Sequence, residues 1–198
     1  DKINSPKIPE RLPKFVEQTK INDLLENNEK YFAPTFEGMQ EKLIVDMLYS
    51  TGMRRQELID LKWSDIHFGS NQVKVTGKGN KQRLIPIGKE LISSLQIFQK
   101  NQKEKLKNIS LAPYVFLTDS GNQLYANYVY RLVKKQIGNC STVEKKSPHV
   151  LRHSFATHMS NNGAKLNDIK ELLGHASLAS TQVYTHNTIE QLKEIYKI

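Results

Sequence analysis

One block of the sequence decides the fold class. Ser64 to Gly88 reads SDIHFGSNQVKVTGKGNKQRLIPIG, with apolar positions alternating around Val73, Val75, Leu84, Ile85 and Ile87. A period of two is the pattern of a half-buried strand. Turn formers at Gly69–Asn71 and Gly77–Lys81 cut the block into three pieces. The block predicts a three-stranded antiparallel sheet over about residues 65–87, with Lys78 at a hairpin tip. No other stretch carries a clear β pattern. The expected fold is therefore mostly α with one small three-stranded antiparallel sheet, an α+β class.

Elsewhere the apolar spacing is helical. Ile21, Leu24 and Leu25 share a face over Val16–Asn28, and Met39, Leu43, Ile44, Met47 and Leu48 do so before Gly52. Gly52 stands where a left-handed residue ends a helix. A short helix follows, with Leu58 and Leu61 inward, and others are expected at Lys89–Lys107 and Asn127–Ile137, the second stopping at Gly138. Asp119–Asn122 reads as a turn within a short extended piece. Ser147 and Pro148 form an N-cap and first helical residue. That helix should end near Gly163, and the next, Leu166–Leu173, at Gly174. A further helix should carry Tyr184, and an amphipathic one should close the chain through Ile189, Leu192 and Ile195. Residues 1–14, with Pro6, Pro9 and Pro13, read as a linker from an upstream domain into one domain spanning 15–198.

Charge narrows the partner. Lys and Arg number 29 against 20 Asp and Glu, a net +9, which favours an anionic partner and first of all nucleic acid. The lone Cys140 provides neither a disulfide framework nor a cysteine-based zinc site, in keeping with a reducing cytoplasm. No run reaches membrane-span length, and the N-terminal residues contain no apolar signal core.

Five of the six histidines fall between Ser147 and Asn187, around Tyr184. His149 and Arg152 are three apart in the first turn of a helix, so they share a face, and the free amides there attract an anion. A solvated helix start would look the same. His149 and His153 could share a metal at i,i+4, but Val150 stands where a base would and no cysteine lies near, so no metal is expected. Arg54 and Glu57 are also three apart, either an ordinary surface pair or a carboxylate orienting an arginine. Lys78, between two glycines, is a basic turn or a mobile proton donor.

Together these pieces resemble the tyrosine recombinase (phage integrase) family, most closely its Xer-type and transposon-integrase members. TGMRRQEL is similar to that family's first-arginine box, VTGKGNKQRLIPI to its hairpin-lysine box, SPHVLRHSFATHM to its His-x-x-Arg-His box, and ELLGHASLASTQVYTH to its Leu-Gly-His box and nucleophile. The resemblance implies a catalytic domain for site-specific DNA recombination or integration. It would cut and rejoin double-stranded DNA through a 3′-phosphotyrosine bond and Holliday junctions, without metal or nucleotide. Arg54 and Arg152 would clamp the scissile phosphate, and Lys78 would act as general acid. His149 and His175 would serve phosphate and proton transfer, with Tyr184 as nucleophile. Glu57 and His153 would support them from behind, and His158 and His186 would be structural. Lys62, Lys81, Arg83 and Lys134 are candidate contacts to DNA phosphates. The family further implies a monomer in solution that becomes a tetramer on DNA through the C-terminal helix, working in the cytoplasm at the nucleoid. A type IB topoisomerase and a non-catalytic DNA-binding protein are the alternatives.

Overall fold

Helix α3, Phe36–Thr51, organises the fold. Leu43, Ile44, Val45, Met47 and Leu48 are all at most 3% exposed, so it is buried on nearly every side. Thr35 caps its start, the hydroxyl oxygen accepting from the Gly38 amide at 3.2 Å. Gly52, at φ 59, turns the chain out of its end in the left-handed conformation foreseen for it.

The computed structural model describes residues 15–108, 110 and 112–174. Before α3 come α1, Gln18–Glu26, and α2, Asn28–Tyr31; after it come α4, Arg55–Ile59, and the sheet. The strands are β1, Ile66–His67, β2, Gln72–Thr76, and β3, Gln82–Pro86, antiparallel in the order β1-β2-β3. Helices α5, Lys89–Lys105, α6, Ala126–Cys140, α7, Pro148–Asn161, and α8, Leu166–Leu172, complete the described chain. Helix α3 packs against α4, α5, α6 and α7. The fold is mostly helical with one small antiparallel sheet, as the alternation in residues 64–88 foretells.

The register sets which strand residues face inward. Val73 pairs with Ile85 and Val75 with Arg83. Directly paired residues lie on one face, so Arg83 shares the inner face with Val73, Val75 and Ile85, three apolar residues that are fully buried or nearly so. Asn71, Gly79 and Asn80 adopt positive φ at the two turns. Lys78 opens the 3-10 turn at the hairpin tip.

Most expected boundaries hold within a residue or two, but α6 does not stop at Gly138. It continues to Cys140 because Gly138 keeps a helical conformation, outside the left-handed region. Helix α7 begins with Ser147 as N-cap and Pro148 in the first turn, although the Ser147 side chain makes no capping bond. At the domain entrance, the Val16 amide donates to Ser154 Oγ of α7 at 2.9 Å. The Phe15 ring stands edge-on to His153 and His158. Residues 1–14, the Tyr184 helix and the closing amphipathic helix lie outside the described residues. Among the described residues no helix is long and apolar enough to cross a membrane.

Candidate functional site

The ends of α3 and α8 meet the first turns of α7. Arg152, one turn into α7, is only 6% exposed. Its Nη1 donates to the Gly52 carbonyl at 2.5 Å and its Nη2 to the Leu173 carbonyl at 2.6 Å. Gly52 and Leu173 cap the C-termini of α3 and α8, where unpaired carbonyls and the helix dipole gather negative partial charge. A buried guanidinium needs acceptors of this kind. Burial, followed by the neighbouring Arg54 charge, lowers Arg152 to about 10, with Glu57 acting in the opposite direction. The group is still cationic at neutral pH.

Arg54 is the N-cap of α4, and Glu57 reaches back to it. A Glu57 oxygen accepts from the Arg54 backbone amide at 2.7 Å and the other from Arg54 Nη1 at 2.9 Å. A second guanidinium, Arg83, grips the same carboxylate at 3.0 and 2.8 Å. Those four bonds match the acceptor capacity of a carboxylate. Burial alone would raise the Glu57 carboxyl. The hydrogen bonds from Arg83 and the Arg54 amide, with the Arg83 charge, outweigh it and hold Glu57 below its ordinary value.

Met53, Arg54, Arg55, Tyr130, Ser147, Pro148, His149 and Arg152 line a cleft of about 310 Å³. Arg54 is partly open to it, with 42% of its side chain exposed. The exposed His149 stands in the first turn of α7, at the helix end whose dipole favours anions. Arg54 and Arg83 share one carboxylate and Arg152 stands close enough to feel their charges, so the site holds excess positive charge. Among the described residues no group of three or more His, Cys, Asp or Glu could hold a metal ion.

The sequence pattern of the Phage integrase family matches residues 14–191, nearly the whole chain. The chain belongs to that family. It is 36% identical to the tyrosine recombinase XerC of Chlorobaculum parvum, over 98% of this chain and 63% of that protein. It is 37% identical to the tyrosine recombinase XerD of Halalkalibacterium halodurans, over 98% and 64%. Among solved structures it resembles the XerH site-specific recombinase bound to difH substrate in a pre-cleavage complex, with a TM-score of 0.74 and 28% identity over 96% of this chain and 55% of that one. It also resembles XerA recombinase, with a TM-score of 0.71 and 26% identity over 96% and 67%. The chain spans somewhat under two thirds of the length of the curated relatives it matches.

In this integrase-family chain the structure brings together Arg54, Glu57, His149 and Arg152. His153, one turn after His149 on α7, is exposed and does not line the cleft. His158 is buried, its Nδ1 2.9 Å from the Tyr49 hydroxyl. Lys62 and Lys81 are exposed, with Lys62 over the Tyr114 ring. Lys134 lines a second cleft of about 590 Å³ with Lys145 and Lys146, joined to the first through Tyr130 and Ser147. His175, Tyr184 and His186 lie outside the described residues.

Arg83, a candidate phosphate contact, has a side chain only 9% exposed and bonded to Glu57 and to the Leu172 carbonyl, at 2.6 Å from Nε. The desolvated Glu57 carboxylate takes it as counter-ion. Strand alternation, which puts residue 83 in step with Ile85 and Ile87, was the available signal. The motif reading missed Tyr130, which no spacing rule links to the cleft.

Proposed function

We propose that this chain is the catalytic part of a site-specific DNA recombinase. In this reading it breaks and rejoins double-stranded DNA through a covalent 3′-phosphotyrosine bond and Holliday junctions. The observation that supports it most is the clamp: Arg54 and Arg152, far apart in sequence, line one cleft with His149. Membership of the integrase family and likeness to named tyrosine recombinases favour the same reading.

The scissile phosphate sits in the cleft. Arg152 has given two of its five N–H donors to carbonyls, and the rest can serve the non-bridging oxygens. Charge grows on those oxygens during attack, so cations fixed in place favour the transition state over the ground state. Tyrosine, with a reference pKa near ~10, must lose its proton to attack. The Tyr184 oxygen bonds to phosphorus as the bond to the 5′ oxygen breaks, and Lys78 gives that oxygen its proton. His149 and His175 assist at the phosphate and in proton transfer. Rejoining reverses the steps. The phosphotyrosine conserves the energy of the phosphodiester, so neither nucleotide nor metal is required. Exposed Lys62, Lys81 and Lys134 contact backbone phosphates. The chain is a monomer when free, assembles on DNA as a tetramer through residues 189–198, and works at the nucleoid in the cytoplasm.

The test is a nicked DNA substrate from which the short fragment bearing the freed 5′ hydroxyl diffuses away, trapping any covalent adduct. The parent chain should give an adduct that survives denaturation, and Tyr184→Phe should bind DNA and give none. Binding without an adduct from the parent would leave a non-catalytic DNA-binding protein. Plasmid relaxation without two-site recombination would point instead to a type IB topoisomerase.

A further inference from the structure

We infer that Arg83 is a positioning residue of this site, and the inference rests on the recombinase reading. It ties the lysine-bearing hairpin, the Arg54–Glu57 pair and the turn after α8 into one unit. By neutralising Glu57, it leaves Arg54 available to hold phosphate.

Three contacts argue for this. Two Arg83 nitrogens hold the two Glu57 oxygens at 3.0 and 2.8 Å, and Nε holds the Leu172 carbonyl at 2.6 Å. Gly174 lies against the same guanidinium: a Cβ built there would stand 3.1 Å from Arg83 Nη1. The backbone leading to His175 therefore rests on the Arg83 side chain. Arg54 shares Oε1 of Glu57 through Nη1, and its Nη2 is 3.4 Å from the Gly174 carbonyl.

Remove Arg83, and the buried carboxylate keeps Arg54 as its one close cation among the described residues. An under-compensated buried carboxylate draws in the nearest cation. Arg54, which already holds Oε1 through Nη1 and is 42% exposed, would turn its remaining donors from the cleft onto Glu57 as well. Lysine cannot replace Arg83, because a point charge cannot hold a carboxylate in a planar fork and a carbonyl at once.

The test combines Arg83→Lys, Arg83→Met and the double variant Glu57→Gln/Arg83→Met. Circular dichroism first confirms folding. DNA affinity is then measured separately from the single-turnover cleavage rate at saturating DNA. Arg83→Lys should bind DNA as the parent does but cleave about 10²-fold more slowly, the scale of a small misplacement of a catalytic group. Arg83→Met should be at least as slow. Adding Glu57→Gln should recover part of that loss, because a neutral amide no longer pulls on Arg54. Amide hydrogen exchange at Gly174 should be faster in Arg83→Lys, whether or not DNA is cleaved. Unchanged cleavage by Arg83→Lys would overturn the inference, as would a loss confined to DNA affinity or a double variant as slow as Arg83→Met. If the parent chain forms no adduct, the recombinase reading fails. Gly174 exchange then decides the structural link: faster exchange supports it, and unchanged exchange overturns it.

Discussion

Gly52→Ala tests whether the Arg152 anchor depends on a glycine. Gly52 has φ 59, and a side chain in the left-handed region costs about 1–2 kcal/mol. The new Cβ would stand 2.5 Å from Phe155 Cδ1 and 2.8 Å from Leu173 Cδ2. Both neighbours belong to the core, and overpacking of this kind costs about 1–3 kcal/mol more. The expected loss is about 2–5 kcal/mol, against a total stability of about 5–15 kcal/mol. Each kcal/mol is worth about 2–4 °C in a chain of this size, so the melting midpoint should fall by about 4–20 °C. Two other glycines serve as controls. Gly79 has φ 74 with nothing within 4 Å of a built Cβ, so Gly79→Ala should show the conformational cost alone. Gly69 has open space and no positive φ, so Gly69→Ala should leave the midpoint unchanged. Circular-dichroism melts of the three variants make the comparison. Gly52→Ala should also slow DNA cleavage at temperatures where it is folded, because both carbonyls that hold Arg152 move. Equal midpoints for Gly52→Ala and Gly79→Ala would refute the packing argument.

The two cations assigned to different oxygens should respond differently to a 5′-bridging sulfur, a leaving group that needs little protonation. Lys78→Ala should lose about 10²–10⁴-fold on normal DNA and recover on the sulfur substrate, while Arg152→Ala should not recover; the opposite pattern in cleavage assays would exchange their roles. DNA affinity should fall steeply with salt. Neutralising the exposed Lys81 or Lys134 should flatten that slope, whereas Arg83→Lys should leave it as it is; salt-independent binding would remove the electrostatic reading. His158 is buried with Nε2 unpartnered among the described residues, and burial lowers its pKa below 6.5. The unfolded chain takes up a proton below 6.5 that the folded chain resists, so this histidine's share of stability is complete above that value and declines as pH falls through it. His158→Gln should melt with a weaker acid dependence, and parallel melting curves for parent and variant from about pH 8 to 5 would refute this.

Local spacing suffices for most elements of this chain. The alternation of Val73, Val75 and Ile85 announces the sheet, and Gly52 and Gly174 end α3 and α8 in the left-handed conformation that glycine tolerates. Ser147 and Pro148 mark the start of α7, and the three-residue step from His149 to Arg152 puts both on the cleft. These signals are readable because helix and strand hydrogen bonds join residues at fixed short separations. Gly138 shows their limit. A glycine permits a helix to end, but α6 continues past it to the Ser141 cap, with Gln136 and Ile137 buried just before it. The site is less legible than the fold. In a chain of net charge +9, Arg83 reads as one more phosphate contact. Only folding brings Glu57 of α4 against β3 and removes both from water. Nor does any local pattern record that Arg152 rests on carbonyls from the ends of α3 and α8. A buried charge is balanced by whatever acceptor or counter-ion the packed chain carries to it, and that partner is chosen by the packing of distant segments rather than by the residues beside it in sequence.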